Sequence, residues 1–353
     1  MEFPGRALQR SLLILALLTS VGAAQAKQSC TAPAGTVPIE FHSGENTLRG
    51  FLDKPPTAGK HPLILILHGS GSTNVMDGDG GYNSSYDELR AAFRRAGFAT
   101  AVRDKASSGC SEGHYRIRTP LVERTDEAVA AFDALKARDD IDGAHIGFWA
   151  ISEGAWAAPM AAVRRPETAF LILVSAPVGD APTETEYLAF NLLTQSGVSA
   201  AEAKQAVATL RRAYLVARAG GSHAEFLAAI EPLEKYPLFG ELRITETPEM
   251  KTSAAAAADY RTNQQAPDYV LRADTYLREL QQPTLAIFGG RDIQVDWRTS
   301  ERVFREIFGA GNSALTLKVF PDAGHNLYGT DSTFVKGYVD LMVDWLKQRR
   351  TER

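Results

Sequence analysis

The stretch Pro62-Leu63-Ile64-Leu65-Ile66-Leu67 is an apolar run without alternation. A strand that is apolar at every position is buried on both faces, as in a parallel sheet covered by helices on each side. Runs of the same kind recur from Phe98 to Val102, Ile146 to Trp149, Phe170 to Val174, Leu285 to Phe288 and Leu315 to Phe320. Between them lie helix-period segments: Tyr86 to Ala96, Leu121 to Arg138, Ala155 to Arg164, Thr299 to Phe308 and Thr333 to Lys347. Such alternation of strand and helix predicts an α/β fold with a doubly wound, mostly parallel sheet. Residues 37–42 and 47–53, flanking Ser-Gly-Glu-Asn, read as a hairpin that precedes it.

The rhythm breaks once, between Val178 and Pro283, where alanine-rich helical stretches replace core strands: Ala200 to Arg218, Ala224 to Tyr236, Ser253 to Asp259 and Pro267 to Leu280. A structureless loop of that length is improbable inside a compact domain. The expected organisation is therefore a core of residues 27–178 and 283–353 with residues 179–282 inserted as a helical cap. Residues 1–26 read as a secretory signal, with Arg6 and Arg10 ahead of an apolar run from Leu12 to Val21 and small residues ending at Ala26. Export to a periplasmic or extracellular space follows as an expectation, with no stable membrane anchor, because the apolar run is short for a bilayer span. A formal net charge of −4 leaves no basic patch to hold nucleic acid. The two cysteines, Cys30 and Cys110, are candidates for one disulfide in an oxidising compartment, though spacing alone leaves their meeting open.

Four strand ends carry the chemistry. In Gly147-Phe148-Trp149-Ala150-Ile151-Ser152-Glu153-Gly154-Ala155-Trp156 a strand ends, a serine sits on the corner and a helix begins among small residues. That is the context of a nucleophile elbow, with Ala150 where a glycine is usual. A serine there also reads as a helix cap, so the reading rests on what accompanies it. His68-Gly69-Ser70-Gly71 follows the first buried run, and a plain glycine-rich turn is its simplest reading. Its glycines also permit a loop whose amides turn toward a ligand, and the backbone N–H groups of Ser70 and Glu153 are the candidate oxyanion donors, supported by His68, Gly69, Gly71 and Gly154. Asp292 follows the run ending at Phe288, where open α/β sheets place functional side chains. Asp296 is the rival acid, but it opens the next helix and reads well as its N-cap. His325, in Pro321-Asp322-Ala323-Gly324-His325, follows the last run and completes the chain order Ser, Asp, His. His42, His61, His114, His145 and His223 lack the spacing of metal ligands, so no metal is expected, and acyl transfer through a serine, being proton transfer and addition at carbonyl carbon, calls for no cofactor. Arg103 to Lys105 and Ser107 to Gly113 form a polar cluster read as fixing the adjacent loop by hydrogen bonds; Asp104 is a further candidate acid, which the chain order argues against.

The assembled pattern resembles the α/β-hydrolase superfamily, within it exported bacterial hydrolases and esterases close to the prolyl-oligopeptidase-like and dienelactone-hydrolase-like groups. The resemblance covers residues 36–178 and 283–348, through His68-Gly69, Ser152, His325 and residues 104–113. The last segment is similar to that family's Asp-Lys-Arg-Gly-x-Gly-x-Ser loop, with departures at Ala106 to Ser108. It implies a serine hydrolase with a small-molecule ester as substrate, using Ser152 as nucleophile, His325 as base and Asp292 as the orienting acid. An exported peptidase of aminopeptidase or dipeptidyl-peptidase type is the main alternative, and a binding protein without turnover the lesser one.

Overall fold

The computed structural model describes residues 30–76, 83–113, 121–241, 253–254, 257–258, 272–309 and 314–351. The segment read as an export signal, residues 1–26, lies outside these residues, as do Ala255, Ala256 and Asp259 of the helix read from Ser253 to Asp259.

The sheet is built from β1 (Val37–Ser43), β2 (Asn46–Asp53), β3 (His61–Leu67), β4 (Ala99–Arg103), β5 (Ile141–Ile151), β6 (Leu171–Val174), β7 (Thr284–Gly289) and β8 (Leu315–Phe320). Their order in space is β1-β2-β4-β3-β5-β6-β7-β8. The β1–β2 and β2–β4 pairs are antiparallel, and every pair from β4 to β8 is parallel. All parallel strands therefore end at one edge of the sheet. The winding reverses between β3 and β5, which makes the crevice above their ends the natural binding place in an open sheet.

The lack of alternation in β3 has its cause in two helical layers. Leu63, Leu65 and Leu67 face one layer and Ile64 and Ile66 the other. The first layer contains α2 (Leu121–Lys136) and α3 (Glu153–Arg164), through Phe132, Leu135, Ala158 and Ala161. The second contains α1 (Asn83–Arg95), through Leu89 and Phe93, and a C-terminal helix from Tyr338 to Thr351, through Met342 and Trp345. Burying each such leucine or isoleucine contributes about 1.5–3 kcal/mol. That last helix starts at Tyr338 and not at Thr333, because Tyr328 and Phe334 pair as an isolated bridge and Gly337 takes φ +83°.

Between β6 and β7 the described chain is helical: α4 (Ala181–Gln195), α5 (Ala200–Arg218), α6 (His223–Ile230), α7 (Pro237–Glu241) and α8 (Ala273–Leu277). The sequence reading overlooked α4, whose Pro182 and run of threonines and glutamates resemble a linker. Of the helix read from Pro267 to Leu280, residues 272–280 are described, and among them the helix is the shorter α8. The described residues of 192–264 form one compact unit, and those of 28–191 with 265–351 form another. Within the first, α5 and α6 start at serines: the Ser199 side chain accepts from Glu202 N–H, and Ser222 with Glu225 makes a reciprocal capping box. Within the second, a helix α9 (Trp297–Phe308) follows β7, and the Tyr338–Thr351 helix is α10. Among the described residues no helix is long and apolar enough to cross a membrane. Cys30 and Cys110 are joined by a disulfide, which resolves the pairing that spacing left open.

Candidate active site

Ser152 occupies the single residue between β5 and α3, with φ 55° and ψ −121°. A non-glycine residue pays strain in that region, and such strain persists only where the surroundings impose it. They do so here. A Cβ at Gly154 would lie 2.4 Å from the Leu67 carbonyl oxygen and 2.8 Å from that of His68, so the first turn of α3 rests against the backbone at the end of β3. The Ser152 side chain makes no capping hydrogen bond to α3, which removes the cap reading of this serine. Its hydroxyl carries no hydrogen bond among the described residues.

The loop after β3 passes directly beside this corner. A Cβ at Gly69 would sit 3.3 Å from Ser152 Cβ and 3.8 Å from its Oγ, a close approach that glycine leaves open. Ser70 is exposed, and Gly71 turns at φ +99°. Among the described residues neither the Ser70 nor the Glu153 backbone N–H donates to a protein acceptor. His68 points the other way, buried edge-on against Tyr86 with ring centroids 4.5 Å apart. Burial, with Lys105, Arg103 and Arg90 nearby, pushes its imidazole down to about 3, so it is neutral and supports the loop from inside.

Asp292 and His325 are brought together by two touching loops. A Cβ at Gly289 would lie 2.2 Å from the Gly324 carbonyl oxygen, and one at Gly290 would lie 2.7 Å from that of Pro321. The Arg291 N–H donates to Ala323 O at 2.8 Å, which ties the loop after β7 to the loop after β8. The result is a 2.8 Å bond between His325 Nδ1 and Asp292 Oδ2, with the carboxylate fully buried. Asp292 Oδ1 accepts from the N–H groups of Gln294 at 2.7 Å and Val295 at 3.1 Å. Asp296 accepts instead from Thr299 N–H and its hydroxyl, as the N-cap of α9.

Ser152 and His325 are linked through β6. The Ser152 N–H donates to Val174 O at 3.1 Å, and the hydroxyl of the next residue, Ser175, donates to His325 O at 2.7 Å. Ser175 itself takes φ 46°. Its position directly after the buried run to Val174 was the only sequence signal for this role. The sequence reading missed Glu184, and it held Lys105 only as one member of a polar cluster fixing the adjacent loop. Glu184 on α4 accepts from Gly179 N–H through Oε1, while its Oε2 is buried without a hydrogen bond. Burial, reinforced by Asp296, Asp292 and Asp180, pushes its carboxyl up to about 7. Lys105, buried beneath the Gly69 loop, donates to Gly69 O and to Glu153 Oε1. Among the described residues no three His, Cys, Asp or Glu side chains are grouped to hold a metal ion.

A serine on a strained corner, unpaired amides beside it and a carboxylate-held imidazole at the same edge of the sheet form the parts list for acyl transfer. No protein-family model and no curated protein sequence matches the chain. Solved structures do. An esterase of Pyrococcus furiosus superposes with a TM-score of 0.56 at 14% identity, over 89% of this chain and 90% of that one. Est1E of Butyrivibrio proteoclasticus, in a complex with ferulic acid, gives 0.51 at 17% identity over 89% and 98%. Dipeptidyl peptidase 4 of Porphyromonas gingivalis gives 0.53 at 16% identity, over 89% of this chain but 35% of that longer one. Strand order, crossing helices and these likenesses agree that the chain has the α/β-hydrolase fold.

Proposed function

We propose that this chain is an exported serine hydrolase that cleaves a small to medium carboxylic ester, with Ser152 as nucleophile. The observation that carries the reading is the buried Asp292–His325 bond, tied through Ser175 and the end of β6 to a serine held at positive φ with its hydroxyl uncommitted. With Nδ1 donating to Asp292, the imidazole presents Nε2 as the basic nitrogen. His325 takes the Ser152 proton as the hydroxyl attacks the carbonyl, and Asp292 offsets the imidazolium charge and fixes its tautomer. The N–H groups of Ser70 and Glu153 receive the oxyanion. His325 returns the proton to the departing alcohol, and water then hydrolyses the acyl-enzyme by the same steps.

The esterases among the structural neighbours support the ester reading, and the dipeptidyl peptidase supports the amide alternative. The Cys30–Cys110 bond supports export, since disulfides persist in oxidising compartments. The helical connection between the adjacent strands β6 and β7 supports reading residues 179–282 as an insertion into the core. A panel of nitrophenyl esters set against aminoacyl and dipeptidyl amides, read as kcat/KM with Ser152→Ala as control, tests the substrate class. Ester turnover that vanishes in Ser152→Ala is expected. Amide turnover equal to or above ester turnover would replace the ester reading with the peptidase one.

A further inference from the structure

We propose that Lys105 is a positioning residue that sets both oxyanion donors of this site, an inference that rests on the serine hydrolase reading. The geometry starts with a single ammonium. Lys105 Nζ donates to the Gly69 carbonyl and, at 2.8 Å, to Glu153 Oε1. These acceptors belong to the two segments whose backbone N–H groups, of Ser70 and Glu153, flank Ser152.

The Gly69 carbonyl and the Ser70 N–H share one planar trans peptide, so they point in opposite directions. Holding the carbonyl from the buried side aims the N–H away from Lys105, on the exposed side of the loop where Ser70 lies. The Gly69 backbone is also the part of this loop that approaches the Ser152 hydroxyl. A cation on the carbonyl further polarises the amide and strengthens its N–H as a donor. The second contact fixes the Glu153 side chain, hence the first residue of α3, against the same ammonium.

Lys105 is itself immobilised. Its backbone N–H donates to Thr73 Oγ1 at 2.7 Å, and its carbonyl accepts from both the N–H and the hydroxyl of Ser108. Around it the charges alternate: Glu153 lies 4.0 Å from Arg124 Nε, Arg124 pairs with Glu127, and Glu127 pairs with Arg103 at 2.8 Å. A buried ion network is expensive to desolvate, and an apolar replacement of similar volume is often neutral or stabilising. Stability therefore gives no sufficient reason for placing an ammonium here. Its two contacts on the oxyanion loop and on Glu153 give one.

The test uses the full chain as wild type, Lys105→Met, Lys105→Arg and Glu153→Gln, each normalised to the Ser152 sites titrated by a fluorophosphonate. Turnover of nitrophenyl acetate and inhibition by a trifluoromethyl ketone, which forms an oxyanion on the serine, are compared. For Lys105→Met, kcat and ketone affinity should fall together by about 10- to 100-fold while KM stays within about threefold. Lys105→Arg should recover part of both. Should Lys105→Met not fold, Glu153→Gln, which loosens one of the two contacts, should show a smaller parallel loss. A variant that keeps kcat per titrated site and ketone affinity within about twofold of wild type overturns the positioning role. So does a loss confined to KM. A wild-type protein that neither labels nor turns over overturns the hydrolase reading itself, and this inference falls with it.

Discussion

Two loops at the same edge of the sheet each hold a buried aspartate, Asp104 after β4 and Asp292 after β7, and they use their carboxylates differently. Asp104 accepts from Val75 N–H through Oδ1 at 2.7 Å and from Cys110 N–H through Oδ2 at 2.9 Å, so each oxygen is committed to backbone. Even the space beside it is closed, since a Cβ at Gly109 would overlap the carboxylate. Asp292 satisfies two backbone N–H groups with Oδ1 alone and keeps Oδ2 for the His325 imidazole. The same residue type in the same kind of place is a staple in one loop and the hydrogen-bond partner of a histidine in the other. Burial does not separate them. What separates them is whether one oxygen is left for a histidine side chain from another loop.

Applying one substitution to both loops is the sharpest way to break this contrast. Asp292→Asn should fold normally, because the amide oxygen still serves Gln294 and Val295, while kcat falls by about 10⁴-fold as the amide selects the wrong tautomer of His325. Asp104→Asn should leave kcat per titrated site nearly unchanged but cost about 1–3 kcal/mol of stability, as an NH2 then faces a backbone N–H. Denaturant unfolding and ester turnover on the same samples would read both effects, and exchanged phenotypes would show that the two roles are reversed.

The Asp104 loop should owe its rigidity partly to the disulfide, since the same Cys110 whose N–H donates to Asp104 is bonded to Cys30. With the two cysteines separated by 80 positions in sequence, Cys30→Ser should cost about 4 kcal/mol on a chain-entropy estimate. Turnover per folded molecule should stay as in wild type. A loss of turnover larger than the loss of folded protein would mean that this loop shapes the site more directly than its bonding pattern implies.

Glu184 supplies a third carboxyl, near Asp292 but with one oxygen unsatisfied, and the comparison extends to pH. Its carboxyl is raised from an ordinary value of 4.5 to about 7, chiefly by burial. The unfolded chain therefore ionises this group first as pH rises, so the folded state loses stability between those two values and none below them. Glu184→Gln should gain up to about 3 kcal/mol near pH 8 and nothing near pH 4. Equal gains at both pH values would place the effect in packing and not in charge.

Much of this was legible in the chain. The unalternating runs announced strands covered on both faces in β3, β4, β6 and β7, whereas the edge strand β8 is only half-buried, with Lys318 exposed; the chain also placed Ser152, Asp292 and His325 at strand ends, where the structure has them. Asp296 resolved as the cap its place before Trp297 had indicated. The parts that stayed hidden depend on contacts between distant segments. Lys105 reaches Gly69 and Glu153 across 36 and 48 residues, and no local pattern records which carbonyl a buried lysine meets. Ser175 reads as the polar end of a strand until its hydroxyl is seen on His325 O. Helix α4 was missed because its polar first half lacks the periodicity that marked the others.

The central claim, that Ser152 is a nucleophile served by His325, is tested most directly by intact-mass analysis after exposure to a fluorophosphonate. Wild-type protein should gain one adduct, mapped by peptide digestion to Ser152, and His325→Ala should gain it far more slowly. Ser152→Ala, still folded, should gain none. Well-folded wild-type protein that remains unmodified, or that carries its adduct on another residue, would contradict the claim.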